Sequence, residues 1–181
     1  EVISNDGKYK KPYNTVDVVL TAYVQNQEVY KFRVEVEGLN SESGALATGY
    51  IYTPYNTITQ NAMNQLDIIY CAFLDIDANA NWTNLTTITN NINNYIRPKA
   101  NIAGTKIVIS VNQKASGNFS SVAASETLRE KLASNILDVI ETLEIDGVDI
   151  DWETPTSSEA SNFTFLMQAI YNKVKAANQN Y

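Results

Sequence analysis

The chain has no histidine and a single cysteine in 181 residues. Without histidine, Ser-His-Asp and Cys-His catalysis are excluded, as is any histidine-ligated metal. With one cysteine there is no intrachain disulfide and no thiolate zinc site. Cys71 lies in the apolar run Ile68-Ile69-Tyr70-Cys71-Ala72-Phe73, the setting of a buried small hydrophobe rather than a nucleophile. No glycine-rich phosphate loop occurs. Basic residues are few, 13 against 20 acidic ones for a net charge of −7, which argues against nucleic acid or an anionic membrane as partner. No apolar run approaches the roughly 18 residues of a membrane span. No signal peptide is visible, and the abrupt start at Glu1 reads as a processed or trimmed piece. Chemistry must therefore rest on carboxylates, tyrosines, amides and hydroxyls.

What is present is ordinary globular material, 44% apolar, enough for one good core or one core plus a fragment. Residues 1–14 are polar and lack a period. Val16, Val18, Leu20, Ala22 and Val24 then alternate with other residues, as do Tyr30, Phe32, Val34 and Val36 after Gln25-Asn26-Gln27. This spacing predicts a β-hairpin. A lone hairpin is marginally stable and must belong to something larger. It resembles the last two strands of small bacterial immunoglobulin-like modules that precede carbohydrate-active domains. Residues 38–44 read as a linker, so that 1–44 form a hairpin remnant plus linker and 45–181 a second unit.

That unit alternates strands with helical patterns. Strands are predicted at 48–52, 66–74 and 106–111. A short helix is expected at 58–64, and another at 84–95 with Pro98 stopping it. Ser125 caps a long helix whose buried stripe is Leu128, Leu132, Ile136, Val139, Ile140 and Leu143. After Pro155, Ser158 is expected to cap a last helix burying Phe163, Leu166, Ile170 and Val174. Strands alternating with helices are the pattern of βαβ units and a parallel sheet.

The fourth strand breaks the rule that central parallel strands are apolar throughout. It reads Asp146-Gly147-Val148-Asp149-Ile150-Asp151-Trp152-Glu153. Alternation puts Asp149, Asp151 and Glu153 on one face and Val148, Ile150 and Trp152 on the other. Like charges about 6 to 7 Å apart repel, and none of the eight residues is basic. Paired carboxylates in an enclosed site split their pKa values, giving an ionised group beside one that holds a proton, as glycosidic cleavage requires. Glu153, nearest the C-terminal end and longest in reach, is the natural proton donor. Asp151 can orient a substrate group, and Asp149 can share a proton with Asp151.

Two plainer readings compete. A D-x-D-x-D calcium loop needs turn geometry and a central glycine, not Ile and Trp between the acids. A solvated edge strand does not suit the apolar flanks and the two good helices on either side. Tyr50 and Tyr52 share a parity on the first strand, and either line a sugar site or pack in the core. Asn81, Asn84, Asn118 and Asn162 each begin an N-x-[ST] sequon, which the abundance of Asn explains by chance.

Asp146, Asp149, Asp151 and Glu153 match D-x-x-D-x-D-x-E, and with Gly147, Trp152 and Pro155 the stretch resembles the signature of glycoside hydrolase family 18, the chitinase-type family. Gly49-Tyr50 and Tyr70-Cys71-Ala72-Phe73 are similar to that family's first and second strands, and the resemblance runs from Thr48 to Ala177. It implies a (β/α)8 TIM barrel that hydrolyses β-1,4 bonds between N-acetylglucosamine units with retention. The substrate's own acetamido oxygen is the implied nucleophile. Glu153 is then the acid and base, Asp151 the residue that holds the acetamide, Asp149 its electrostatic support and Asp146 structural. Tyr50, Phe73 and Trp152 are implied substrate-binding residues. No metal or cofactor is implied, the partner is chitin or a related oligosaccharide, and the location is secreted. The resemblance also admits an endo-β-N-acetylglucosaminidase acting on N-glycans, a lectin-like relative, and an inert fragment.

Three departures from the pattern stand out. Ser110-Val111-Asn112-Gln113 keeps the serine of the family's S-x-G-G and has neither glycine. Thr154 follows Glu153 where an aromatic is frequent. Residues 45–181 fall short of the roughly 250 of a full barrel. The expectation is therefore the first half of a barrel, about four β/α units, with its first and fourth strands as open edges prone to self-association.

Overall fold

The computed structural model describes residues 16–24, 27–36 and 46–181. The hairpin is present: β1 (Val16–Val24) and β2 (Gln27–Val36) pair antiparallel from Val16↔Val36 to Val24↔Gln27. Residues 1–14, the Gln25-Asn26 turn and the 38–44 linker lie outside the described residues.

The second unit is four β/α units in chain order. Strand β3 (Thr48–Ile51) leads through a 3-10 turn at Tyr55–Thr57 to α1 (Gln60–Met63). Strand β4 (Ile68–Ile76) is followed by α2 (Leu85–Asn91), a π turn (Ile92–Ile96) and α3 (Arg97–Ala103). Strand β5 (Lys106–Gln113) is followed by α4 (Asn118–Ala124) and α5 (Glu126–Leu143). Strand β6 (Gly147–Ile150) leads through Ser157–Glu159 to α6 (Ala160–Ala177). The sheet is parallel in the order β3-β4-β5-β6, the first four strands of a (β/α)8 barrel.

One strand face is buried under the helices. Ile69, Cys71, Leu74 and Ile76 of β4, with Ile107, Ile109 and Val111 of β5, pack there against Ile136 and Ile140 of α5 and Ile170 of α6. Cys71 is fully buried, and burial pushes its thiol up to about 12, so it is an inert core residue. The other face would line a barrel interior. Here it carries Tyr50, Tyr70, Asp75, Asn112 and Asp149.

Two aspartates pin strand entrances. Asp67 accepts the Ala47 N–H at 2.9 Å while its own N–H bonds Ala47 O at 2.8 Å. Asp146 does the same to β5, accepting from Ile107 N–H at 2.9 Å and donating to Ile107 O at 2.7 Å. Each exchange completes the ladder at the end where a strand's first polar groups lack sheet partners.

Local chemistry departs from expectation at three places. Pro98 does not stop its helix. It lacks an N–H and would clash with the carbonyl four residues back, and the wide π turn just before it restarts the helix so that Pro98 falls in a first turn, where no N–H is needed. The helix runs on to Gly104, whose φ of 73° closes it in the left-handed region. The cap before the last helix is Thr156 and not Ser158: it opens the 3-10 turn Ser157–Glu159 that leads into α6, and Thr156 and Glu159 form a capping box, Glu159 accepting the Thr156 N–H at 2.8 Å. The short helix α4 is an addition, burying Phe119, Val122 and Ala123 at helical spacing. Ser125 does cap α5, accepting from Leu128 N–H.

The capping box makes a discriminating prediction. Thr156→Ala lowers stability in urea unfolding by about 1 kcal/mol, and Ser158→Ala leaves it within about 0.5 kcal/mol.

Candidate active site

The site is built where the C-terminal ends of the strands converge. Parallel register sets Tyr50 beside Tyr70, Ser110 beside Asp149, and Asp75 beside Asn112. Strand β6 ends at Ile150, so Asp151 and Glu153 extend past the sheet, with the Asp151 N–H still bonded to Val111 O at 2.8 Å. Asp149 and Asp151 are half-buried and Glu153 is exposed.

Asp149 is the most tightly held of the acids. Its Oδ2 accepts from Tyr50 Oη at 2.9 Å and from the fully buried Ser110 Oγ at 2.7 Å. These two donors come from different strands and reach one oxygen because β3, β4 and β5 run parallel. The Tyr50 ring stacks on Tyr70 with centroids 4.7 Å apart. Although Tyr50 is 61% exposed, its hydroxyl turns inward, and burial, then the bond to Asp149, pushes it up to about 12. Tyr50 therefore stays a proton donor to the carboxylate across the physiological range.

Asp151 takes one bond from β5, from Asn112 Nδ2 at 3.2 Å. Burial first, then the charges of Glu153 and Asp149, raises its carboxyl above the ordinary value. The group whose proton affinity is enhanced is thus the middle acid. Asp75, on β4, is also raised by burial, which the Lys114 charge opposes. The segment carrying Glu153 is tied to the sheet by Gln113, whose Nε2 donates to Glu153 O at 3.4 Å.

Phe73 reaches the interior through an irregularity. Ala72 pairs with Ser110 and Leu74 with Val111, so Phe73 is one residue extra. Strict alternation would send it with Ile69 and Cys71 toward the helices. The bulge instead brings it to Tyr52, ring centroids 5.7 Å apart. Tyr50, Tyr52 and Phe73 thus share the face of the acids. Trp152 does not. It is 7% exposed, stacked on Phe119 at 5.5 Å and tilted against Phe163 at 6.0 Å, among the helices. The structure corrects the expectation that it faces a sugar: alternation puts its neighbours Asp151 and Glu153 opposite to it. Asp146 lies at the far end of β6, engaged with Ile107.

Sequence reasoning missed Asn112 and Gln113 as contributors and treated them as lost glycines. For Asn112 the signal was parity, since it shares a face with Ser110 on the strand that adjoins the acidic one; Gln113 has the opposite parity and offered no such signal. Among the described residues, no three His, Cys, Asp or Glu side chains are arranged to hold a metal ion, and no helix is long and apolar enough to cross a membrane.

Comparison with known proteins adds an independent line. The family model of glycosyl hydrolases family 18 matches residues 20–181. Over 101 residues the chain is 35% identical to Chitinase A1 of Niallia circulans, covering 50% of this chain and 14% of that protein. Over 136 residues it is 27% identical to Chitinase B of Serratia marcescens, covering 68% of this chain and 27% of that protein. Among solved structures, the family GH18 chitinase of Cycas revoluta bound to allosamidin aligns with a TM-score of 0.62 at 18% identity, over 75% of this chain and 42% of that one. The chitinase domain of the spore coat protein CotE from Clostridium difficile aligns at 0.55 with 23% identity, over 75% and 41%. The structural likenesses establish a shared fold, and the chain spans well under half the length of each of these relatives.

The raised Asp151 pKa has a definite sign. The folded state keeps a proton that the unfolded chain releases near pH 4. The stability this contributes is complete below that value and is lost as pH rises through the higher folded pKa. Asp151→Asn removes that loss, so urea titrations at stepped pH show the variant gaining on the parent across this window. By carboxyl NMR, Glu153→Gln and Asp149→Asn each lower the Asp151 midpoint; a midpoint that neither variant moves contradicts the two flanking charges as causes.

Proposed function

Because the chain belongs to glycosyl hydrolases family 18, we propose that it carries the acid-bearing part of a chitinase-type catalytic domain that cleaves β-1,4-linked N-acetylglucosamine with retention. The observation that carries this reading is the row Asp149–Asp151–Glu153 at the C-terminal end of β6. Its first member is held by two hydroxyl donors, its second is raised toward protonation, and its third is open to solvent. Barrel enzymes place their chemistry at this end of the strands.

In the proposed reaction the acetamido oxygen of the sugar attacks its own anomeric carbon while Glu153 gives a proton to the departing glycosidic oxygen. The C–O bond breaks and an oxazolinium ion forms. Asp151 accepts the acetamide N–H, which aligns the nucleophile and offsets the developing positive charge. Asp149, fixed by Tyr50 and Ser110, is the electrostatic support of Asp151. Glu153, now ionised, takes a proton from water as the water oxygen bonds to the anomeric carbon; the bond from that carbon to the acetamido oxygen breaks, the acetamide is regenerated and the configuration is restored. Tyr50, Tyr52 and Phe73 offer aromatic surface for sugar rings. Chitin is insoluble and extracellular, so the reading includes secretion.

Hydrolysis of a fluorogenic chitobiose glycoside, by this chain and by any longer chain containing it, tests the proposal. Glu153→Gln reduces turnover by about 100-fold or more. Full activity in that variant sinks the mechanism.

A second element of the proposal is assembly. Among the described residues, β3 and β6 each pair on one side. Unpaired parallel edges recruit further strands. Light scattering of this chain is expected to show dimers or larger species, and a monodisperse monomer counts against it.

A further inference from the structure

We infer that Asn112 is a positioning residue for Asp151, fixing through its side-chain amide how that carboxyl is turned. The inference rests on the reading that Asp151 works beside Glu153, and extends it to a residue outside the acidic stretch.

The orientation of the amide follows from its partners. Asn112 Oδ1 accepts the Gln113 backbone N–H at 2.5 Å. A backbone N–H only donates, so the oxygen of the amide must lie on that side. The NH2 group is then the one facing Asp151 Oδ2, at 3.2 Å. It too can only donate, so Asp151 Oδ2 must be an acceptor. Any proton that Asp151 holds belongs on Oδ1. The Asp151 backbone is already anchored to the neighbouring residue of β5 through Val111 O at 2.8 Å. One anchor on the main chain and one on the side chain leave the carboxyl little freedom to rotate. Gln113 supports the arrangement: its Oε1 accepts from Phe119 N–H at 3.3 Å while its Nε2 reaches Glu153 O. Two adjacent residues of β5 thus tie down the segment that carries both acids.

The surroundings explain why such a tie is useful. Asp149 and Glu153 flank Asp151 on its own segment. Tyr50 approaches from β3, close enough for the Asp151 charge to act on it. Asp75 stands beside Asn112 on the adjacent strand β4, with the Lys114 charge acting on it. The acids repel one another, and a neutral donor steadies Asp151 without adding charge. Donation to an ionised oxygen favours the ionised form, so Asn112 opposes the upward push of burial and repulsion.

Two variants of this chain test the inference, Asn112→Leu and Asn112→Ala, followed by carboxyl NMR across pH. Asp77 serves as internal reference. It lies on a surface turn, held low by hydrogen bonds from Asn81 and Asn79. The Asp151 midpoint rises in both variants and that of Asp77 stays in place. Asn112→Asp, which adds a like charge, raises the Asp151 midpoint further. An unmoved Asp151 in a folded variant overturns the inference, as does Asp77 moving in step with it. Failure of both variants to fold makes Asn112 structural and also ends it. The NMR arm needs no substrate, so it is separate from the catalytic reading: Glu153→Gln with full activity removes that reading and leaves the Asn112 result standing. In an active chain, Asn112→Leu lowers kcat with KM nearly unchanged and shifts the acid limb of the kcat profile upward.

Discussion

Everything at this site depends on the parallel register of β5 and β6. Acids brought together at one strand end repel, and a row of them persists only if neighbouring strands supply donors at matching heights. Ser110 stands opposite Asp149, and Asn112 stands one step further along, beside Asp151. A slip of one residue would present the apolar Ile109 and Val111 to the carboxylates instead. The register is set at the other end of the strands, where Asp146 and Ile107 exchange two hydrogen bonds. An acid far from the chemistry thereby aligns the acids that carry it.

The same dependence gives the three carboxylates different characters without any cation in their row. Asp149 receives two hydroxyls, Asp151 one amide, and Glu153 is exposed to solvent. Side chains of identical chemistry become unlike because adjacent strands offer unlike donors. The helices contribute indirectly: Trp152, clamped between Phe119 and Phe163, fixes the backbone between Asp151 and Glu153 from the buried side.

Much of this was legible in the sequence. The alternation of strands and helices, the buried stripe of α5 and the face shared by Asp149 and Asp151 follow from periods of 2 and 3.6, which act within a few residues. What escaped depends on information that is not local. The roles of Asn112 and Gln113 require knowing which strand lies beside β6 and at what height. The π turn that lets the helix pass Pro98 is a backbone accommodation that no propensity encodes. The capping box at Thr156 was in plain view, as T-x-x-E, but a nearer serine drew the assignment. Trp152 shows the opposite error. Its alternation was legible from the start, and the functional resemblance outweighed it.

The extra residue at Phe73 has a consequence for how this unit tolerates change in length. Upstream of it, even-numbered Tyr70 and Ala72 look inward; downstream, the odd-numbered Asp75 does. Strand β4 therefore carries two phases of one pattern joined by a single-residue offset. Substitutions on either side act locally, and deleting Phe73 would restore strict alternation, leaving Leu74 among the helices and Asp75 inward while removing the aromatic ring that the bulge brings to Tyr52. A chain that lacks this one residue would therefore still match the strand on both sides of the gap and differ only in the ring it presents.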